Sequence, residues 1–93
     1  MTNQKISTKK LKAIVFTDIV GFTHITASDE AAAMKLLQWQ RKTFQPMVTN
    51  HGGEWLKEVG DGLLLSFPSS QNAVRCAIRI QEAAQEVPNL KLR

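Results

Sequence analysis

Two short apolar runs, Glu54 to Val59 and Leu63 to Phe67, flank Gly60-Asp61-Gly62, and no other part of the chain restricts the fold as much. In an extended chain, successive side chains alternate between faces. Trp55, Lys57 and Val59 would then share one face of the first run, and Leu63, Leu65 and Phe67 one face of the second. Two such runs joined by a glycine-flanked turn read as a β-hairpin. Pro68 stops its second strand.

The flanking segments supply what the hairpin packs with. Lys12 to Asp18 is mostly apolar, with Ile14 and Phe16 on one face and Ala13, Val15 and Thr17 on the other, the pattern of a strand inside a sheet. Gly21 then reads as a turn residue and Thr23 as the cap of a short helical segment. Ser28 or Asp29 caps a longer helix bearing Ala32, Ala33, Leu36, Leu37, Phe44, Met47 and Val48. Pro46 leaves the carbonyl of Lys42 without its helical donor, which predicts a kink or an irregular last turn, and Gly52-Gly53 ends the helix. After the hairpin, Ser69 or Ser70 opens a second long helix, with Ala73, Val74, Ala77, Ile78, Ile80, Ala84 and Val87 toward the core. Pro88 and Asn89 break it, and Leu90 to Arg93 resembles the first residues of another strand.

This order is the ferredoxin-like βαββαβ arrangement of the α+β class, truncated at the start of its fourth strand. A right-handed crossover leaves a gap between the first two strands, which the third fills antiparallel to both. Asp18, ending the first strand, therefore falls beside Asp61, in the turn that begins the third.

Composition narrows the class. A chain of 93 residues, 43% hydrophobic and 22% charged, is one globular domain or part of one. Residues 1–11 read as a flexible lead-in, and Lys5, Lys9, Lys10 and Lys12 supply much of the net charge of +4 from the start of the chain. A solvated tail explains that charge without nucleic acid, since no aromatic-studded basic stripe follows. No apolar run reaches the length of a membrane span, and the start lacks a signal peptide's apolar block, so a cytoplasmic location is expected. Cys76, the single cysteine, has no partner for an internal disulfide and reads as a small buried group on a helix.

Two adjacent carboxylates repel each other and raise each other's proton affinity unless a cation lies between them. A divalent ion held by Asp18 and Asp61 is the economical reading. Val20-Gly21-Phe22-Thr23 offers backbone N–H groups at a helix mouth, a concavity for phosphate oxygens without a lysine-bearing loop. Together they imply phosphoryl or nucleotidyl transfer. Each signal alone has a plainer meaning, a turn former or a helix cap, and it is their placement on adjacent strands that gives them weight. Lys57 is by itself a solvated strand lysine that could present its ammonium to a base edge.

FTDIVGFT, followed after a helix by HGGEWLKEVGDGLLLSF, resembles the amino-terminal half of a class III adenylate/guanylate cyclase catalytic domain, from about Lys12 to Arg93. The resemblance implies that Asp18 and Asp61 bind two magnesium or manganese ions, with the backbone carbonyl of Ile19 as a further ligand. It implies that the backbone of Gly21, Phe22 and Thr23 holds the triphosphate. Lys57 matches the purine-recognising position, where lysine is typical of enzymes acting on ATP and glutamate of those acting on GTP. It also implies a head-to-tail homodimer in which Lys57 serves the partner's site, and a product of 3′,5′-cyclic AMP and pyrophosphate for intracellular signalling. The second purine-recognising residue and the asparagine and arginine of the family's later half have no counterpart here. Little or no activity is therefore expected of these 93 residues, and an exposed edge is expected on the first strand.

The alternative is a noncatalytic nucleotide-binding or dimerisation module of the same fold. A diguanylate cyclase or polymerase-palm relative shares the strand-end metal logic, but the FTDIVGFT loop argues against it. The remaining polar and aromatic residues take ordinary roles. His24 and His51 lack partners at zinc-ligand spacing, Trp39 and Trp55 suit a core or a dimer contact, Arg75 and Arg79 form a solvated face, and Ser66 has no histidine to activate it.

Overall fold

The computed structural model describes residues 11–88 and 90–92, so the expected lead-in, Leu11 apart, lies outside the described residues. In chain order the elements are β1 (Ala13–Thr17), α1 (Phe22–Ser28), α2 (Glu30–Asn50), β2 (Glu54–Val59), β3 (Gly62–Phe67) and α3 (Ser70–Gln85). The sheet order is β1-β3-β2 with both pairings antiparallel, as the split arrangement requires. Past the end of β1, Ile19 bridges Leu92 in antiparallel sense, and the Val20 N–H donates to the Lys91 carbonyl at 2.8 Å. The segment expected to start a fourth strand thus lies beside the continuation of the first. No helix among the described residues is long and apolar enough to cross a membrane.

Side-chain caps set the starts of both long helices. Asp29 Oδ1 accepts from the Ala32 N–H at 3.0 Å and Ser69 Oγ from the Asn72 N–H at 3.1 Å, so Asp29 and Ser69 are the caps rather than their neighbours. Thr23 is not a cap: it lies inside α1, and Gly21 takes the N-cap position in a left-handed conformation with φ 76°. Pro46 does not end α2, which continues to Asn50. His51 caps the far end of α2 through its backbone N–H, and its carbonyl accepts from Asn72 Nδ2 at 2.9 Å, tying α2 to the start of α3.

One continuous core joins Phe44 and Val48 of α2, Leu63, Leu65 and Phe67 of β3, and Ala73, Cys76 and Ile80 of α3. Trp39 packs edge-on against Phe44 at 5.3 Å between ring centroids, and both it and Trp55 lie against this core. Burial raises the proton affinity of the Cys76 thiol, in keeping with a packing role. The inward stripe of α3 is Ala73, Cys76, Ile80 and Ala84, at steps of three and four. Val74 and Ile78, expected inside, are 57% and 52% exposed: Val74 stands one position past Ala73, about 100° around the helix, and Ile78 two positions from both Cys76 and Ile80, about 160° around.

Among the described residues, the helices cover one face of the sheet. On the other, Ile14 is 58% exposed, Phe16 57% and Val59 54%, so the outward apolar side chains of β1 and of the end of β2 are left in water. One strand departs from strict alternation. Trp55 pairs with Leu65 and Lys57 with Leu64, so Leu56 is an extra residue in β2, a bulge that reverses the facing of the residues after it. Trp55 therefore turns toward the core, while Lys57 and Val59 face the opposite way; the single shared face expected for these three does not form.

The bulge also lets Glu58 face α2. Its carboxylate takes a two-pronged contact from Arg41, Nε at 2.8 Å and Nη2 at 2.7 Å, and a third bond from Trp55 Nε1 at 3.0 Å. The hydrogen bond from Arg41 pulls the proton affinity of Glu58 down, and partial burial opposes it more weakly. A carboxylate whose folded pKa is depressed stabilises the fold above its unfolded value and loses that contribution as pH falls through the folded one. Glu58→Gln is thus expected to lower stability at pH 7, with the deficit shrinking as pH falls below the ordinary value of 4.5. Urea melts of both proteins from pH 7 to pH 3 measure this.

Gly53 is required by space rather than by backbone conformation. A Cβ there would sit 2.6 Å from the Phe67 ring and 2.9 Å from Val48. Gly53→Ala is expected to cost about 1–3 kcal/mol through overpacking, read as a lower urea midpoint with an unchanged slope.

Candidate functional site

β1 ends at Thr17, which is only 8% exposed, and Asp18 follows at the strand's end, half-buried. Asp61 comes to the same place from the other direction. It is the second residue of a two-residue turn closed by the Val59–Gly62 pair, and Gly60 enters that turn at φ 61°, which any other L residue adopts only at a cost. Because Thr17 pairs with Leu63, the turn before β3 is carried to the chain just beyond β1. There Asp61 Oδ2 accepts from the Ile19 N–H at 2.7 Å, a short charge-assisted bond. The sheet thus brings the Asp61 carboxylate to the residue immediately after Asp18.

The ligand atoms that this stretch and the turn beside it can offer are oxygen donors. They are the two carboxylates and the Ile19 carbonyl, which accepts from the Phe22 N–H at 3.2 Å and keeps a second lone pair. This donor chemistry fits a hard divalent cation and not a soft one. Among the described residues there is no cluster of three or more His, Cys, Asp or Glu that could hold a metal. A cation bound by two carboxylates and a carbonyl would complete its shell with water or with ligand oxygens, as magnesium commonly does.

Gly21, Phe22 and Thr23 lie on the same stretch, at the start of α1, whose N-terminus has no side-chain cap. Lys57 is placed differently from the aspartates. It stands exposed on the uncovered sheet face opposite Leu64, two residue pairs back from the Val59–Gly62 end of the hairpin. Phe16 pairs with the same Leu64 from the other side, and its ring lies where a Gly62 Cβ would be, 2.8 Å away.

Sequence reading misses one residue of this site. Gln40 of α2 is 3% exposed, and its Nε2 donates to the Asp61 main-chain carbonyl at a long 3.4 Å. A signal for it exists in the chain: Ala33, Leu37, Phe44 and Val48 follow helical spacing, and Gln40 is the polar residue in that series.

The comparisons with known proteins bear on the family and the fold. The model of the adenylate and guanylate cyclase catalytic domain family matches residues 5–90. A relative in Rhizobium meliloti (strain 1021), described as putative adenylate cyclase 3, is 38% identical over 77 residues, covering 81% of this chain and 13% of that protein. Among solved structures, a bacterial light-regulated adenylyl cyclase aligns with a TM-score of 0.79 at 22% identity, over 87% of this chain and 28% of that one. The guanylyl cyclase Cya2 aligns with a TM-score of 0.76 at 22% identity, over 89% of this chain and 52% of that one. The structural likenesses establish the fold, and the 93 residues span a minor part of the first two proteins. With the family match extending over nearly the whole chain, this protein belongs to the adenylate and guanylate cyclase catalytic domain family.

Proposed function

We propose that residues 12–93 form the metal-binding part of a nucleotide cyclase catalytic domain, which in complete form converts ATP to 3′,5′-cyclic AMP and pyrophosphate. The observation that carries this reading is the Asp61–Ile19 bond at 2.7 Å, which brings the Asp61 carboxylate to the residue immediately after Asp18. Asp18, Asp61 and the carbonyl of Ile19 would hold two magnesium or manganese ions. When bound, such ions neutralise phosphate charge and lower the proton affinity of the ribose 3′-hydroxyl.

The chain's own groups do the positioning. Backbone N–H groups of Gly21, Phe22 and Thr23 bind triphosphate oxygens, and the carboxylates set the nucleotide's place relative to the strand ends. The 3′-oxygen forms its bond to the α-phosphorus while the bond from that phosphorus to the bridging oxygen breaks. The hydroxyl proton passes to solvent and pyrophosphate leaves. Lys57 donates from its ammonium to an acceptor on the adenine edge. Its location on the uncovered sheet face, on the same face as Phe16 and Val59, suits a residue presented to a second cyclase domain, and the exposed apolar side chains there suit a homodimer contact. Because the reaction draws on ATP for intracellular signalling, the same reading puts the domain in the cytoplasm.

Manganese titration followed by electron paramagnetic resonance tests the metal assignment. Asp18→Ala and Asp61→Ala are each expected to weaken binding by about tenfold or more. Equal binding by all three proteins would remove the metal site and leave a noncatalytic module. The isolated chain is expected to make little or no cyclic AMP from manganese-ATP, and Asp18-dependent product at an appreciable rate from the purified chain would overturn that. In a form of the protein that is active, Lys57→Glu is expected to shift the ratio of kcat/KM values toward GTP by about tenfold or more.

A further inference from the structure

Two adjacent residues of α2 grip the hairpin that carries Asp61. Gln40 contacts the Asp61 main chain, while Arg41 holds Glu58, three residues upstream, through two hydrogen bonds. In a regular strand Trp55 and Glu58 would point to opposite faces, and only the extra residue at Leu56 lets both face the helix and bond to each other. The hairpin tip is thereby fixed to α2 by its backbone and by one side chain, and to the end of β1 by the Asp61 carboxylate on Ile19.

Gln40 is an unusual choice for its place. It is 3% exposed on the inward side of α2, and its Oε1 is buried without a hydrogen-bond partner among the described residues. A buried acceptor left unpaired loses its hydration without compensation, so an apolar side chain of the same size would suit the core better. What the amide supplies instead is a donor to the Asp61 carbonyl. A local choice that disfavours packing while holding a candidate ligand is the pattern expected at a functional site.

We infer that Gln40 and Arg41 are positioning residues, a clamp from α2 that fixes the direction of the Asp61 carboxylate. The inference rests on the reading of Asp61 as a metal-binding residue, but its first test needs no metal. Gln40→Met keeps the volume, removes the donor and removes the unpaired acceptor. Its melting temperature is expected to stay level or rise. In the metal-free protein, its Ile19 amide is expected to exchange with deuterium about tenfold faster relative to the amides of β3, the factor of one lost hydrogen bond. Arg41→Met, on the exposed side of α2, is expected to move the Ile19 amide in the same direction with core exchange unchanged. Manganese affinity should fall by about tenfold in Gln40→Met.

An Ile19 amide unchanged in both variants overturns the clamp. A melting temperature that falls in step with faster exchange at every core amide also overturns it, since that is a packing role alone. Wild-type protein that binds no manganese would sink the metal reading instead, while Ile19 exchange would still decide the clamp.

Discussion

Strand β3 is paired along both edges, to β1 on one side and to β2 on the other, and five of its six residues are buried. Everything else takes its position from that strand. Its inward residues, Leu63, Leu65 and Phe67, seat both long helices. Its first residue is Gly62, so the turn that precedes it must lie at the end of β1 rather than at the far end of the sheet. Proximity of Asp61 to Asp18 follows from which strand is central, and no special contact between the two side chains has to bring it about.

A sheet with one helical layer has two unlike faces, and the chain uses them differently. The covered face holds the hydrophobic core and the buried polar groups beneath the strand ends, Thr17 and Gln40. The open face carries Ile14, Phe16, Lys57 and Val59. An open apolar face is tolerated here because burial on the other side already binds the strands together. It leaves Lys57 accessible and separates it, by the thickness of the sheet, from the helices that hold the hairpin.

Much of this is legible in the chain, and the parts that are not share a cause. The strand, helix, hairpin, helix order follows from local signals: period-two runs, a glycine-flanked turn, Asp29 and Ser69 before helical patterns. The neighbouring placement of Asp18 and Asp61 follows from that order with the handedness of the crossover. The facing of Trp55 escapes a period-two reading because the bulge at Leu56 shifts the register there, and the contact that goes with it joins Glu58 to Arg41, 14 residues earlier than Trp55 in sequence. Val74 and Ile78 go to the wrong side when hydrophobicity is counted without fixing the phase of the stripe; Cys76 and Ile80 set it. Gln40 escapes for the converse reason, a polar residue standing where only apolar ones are sought.

The open sheet face has a thermodynamic consequence. Whatever covers Ile14, Phe16 and Val59 binds the folded chain and not the unfolded one, so its binding free energy adds to the stability of the fold by mass action. The folding midpoint of this chain is then not a constant of its sequence but a function of the concentration of its cover. Polar replacements on that face would make the lone chain easier to handle in water and would weaken, in the same stroke, any assembly formed through it.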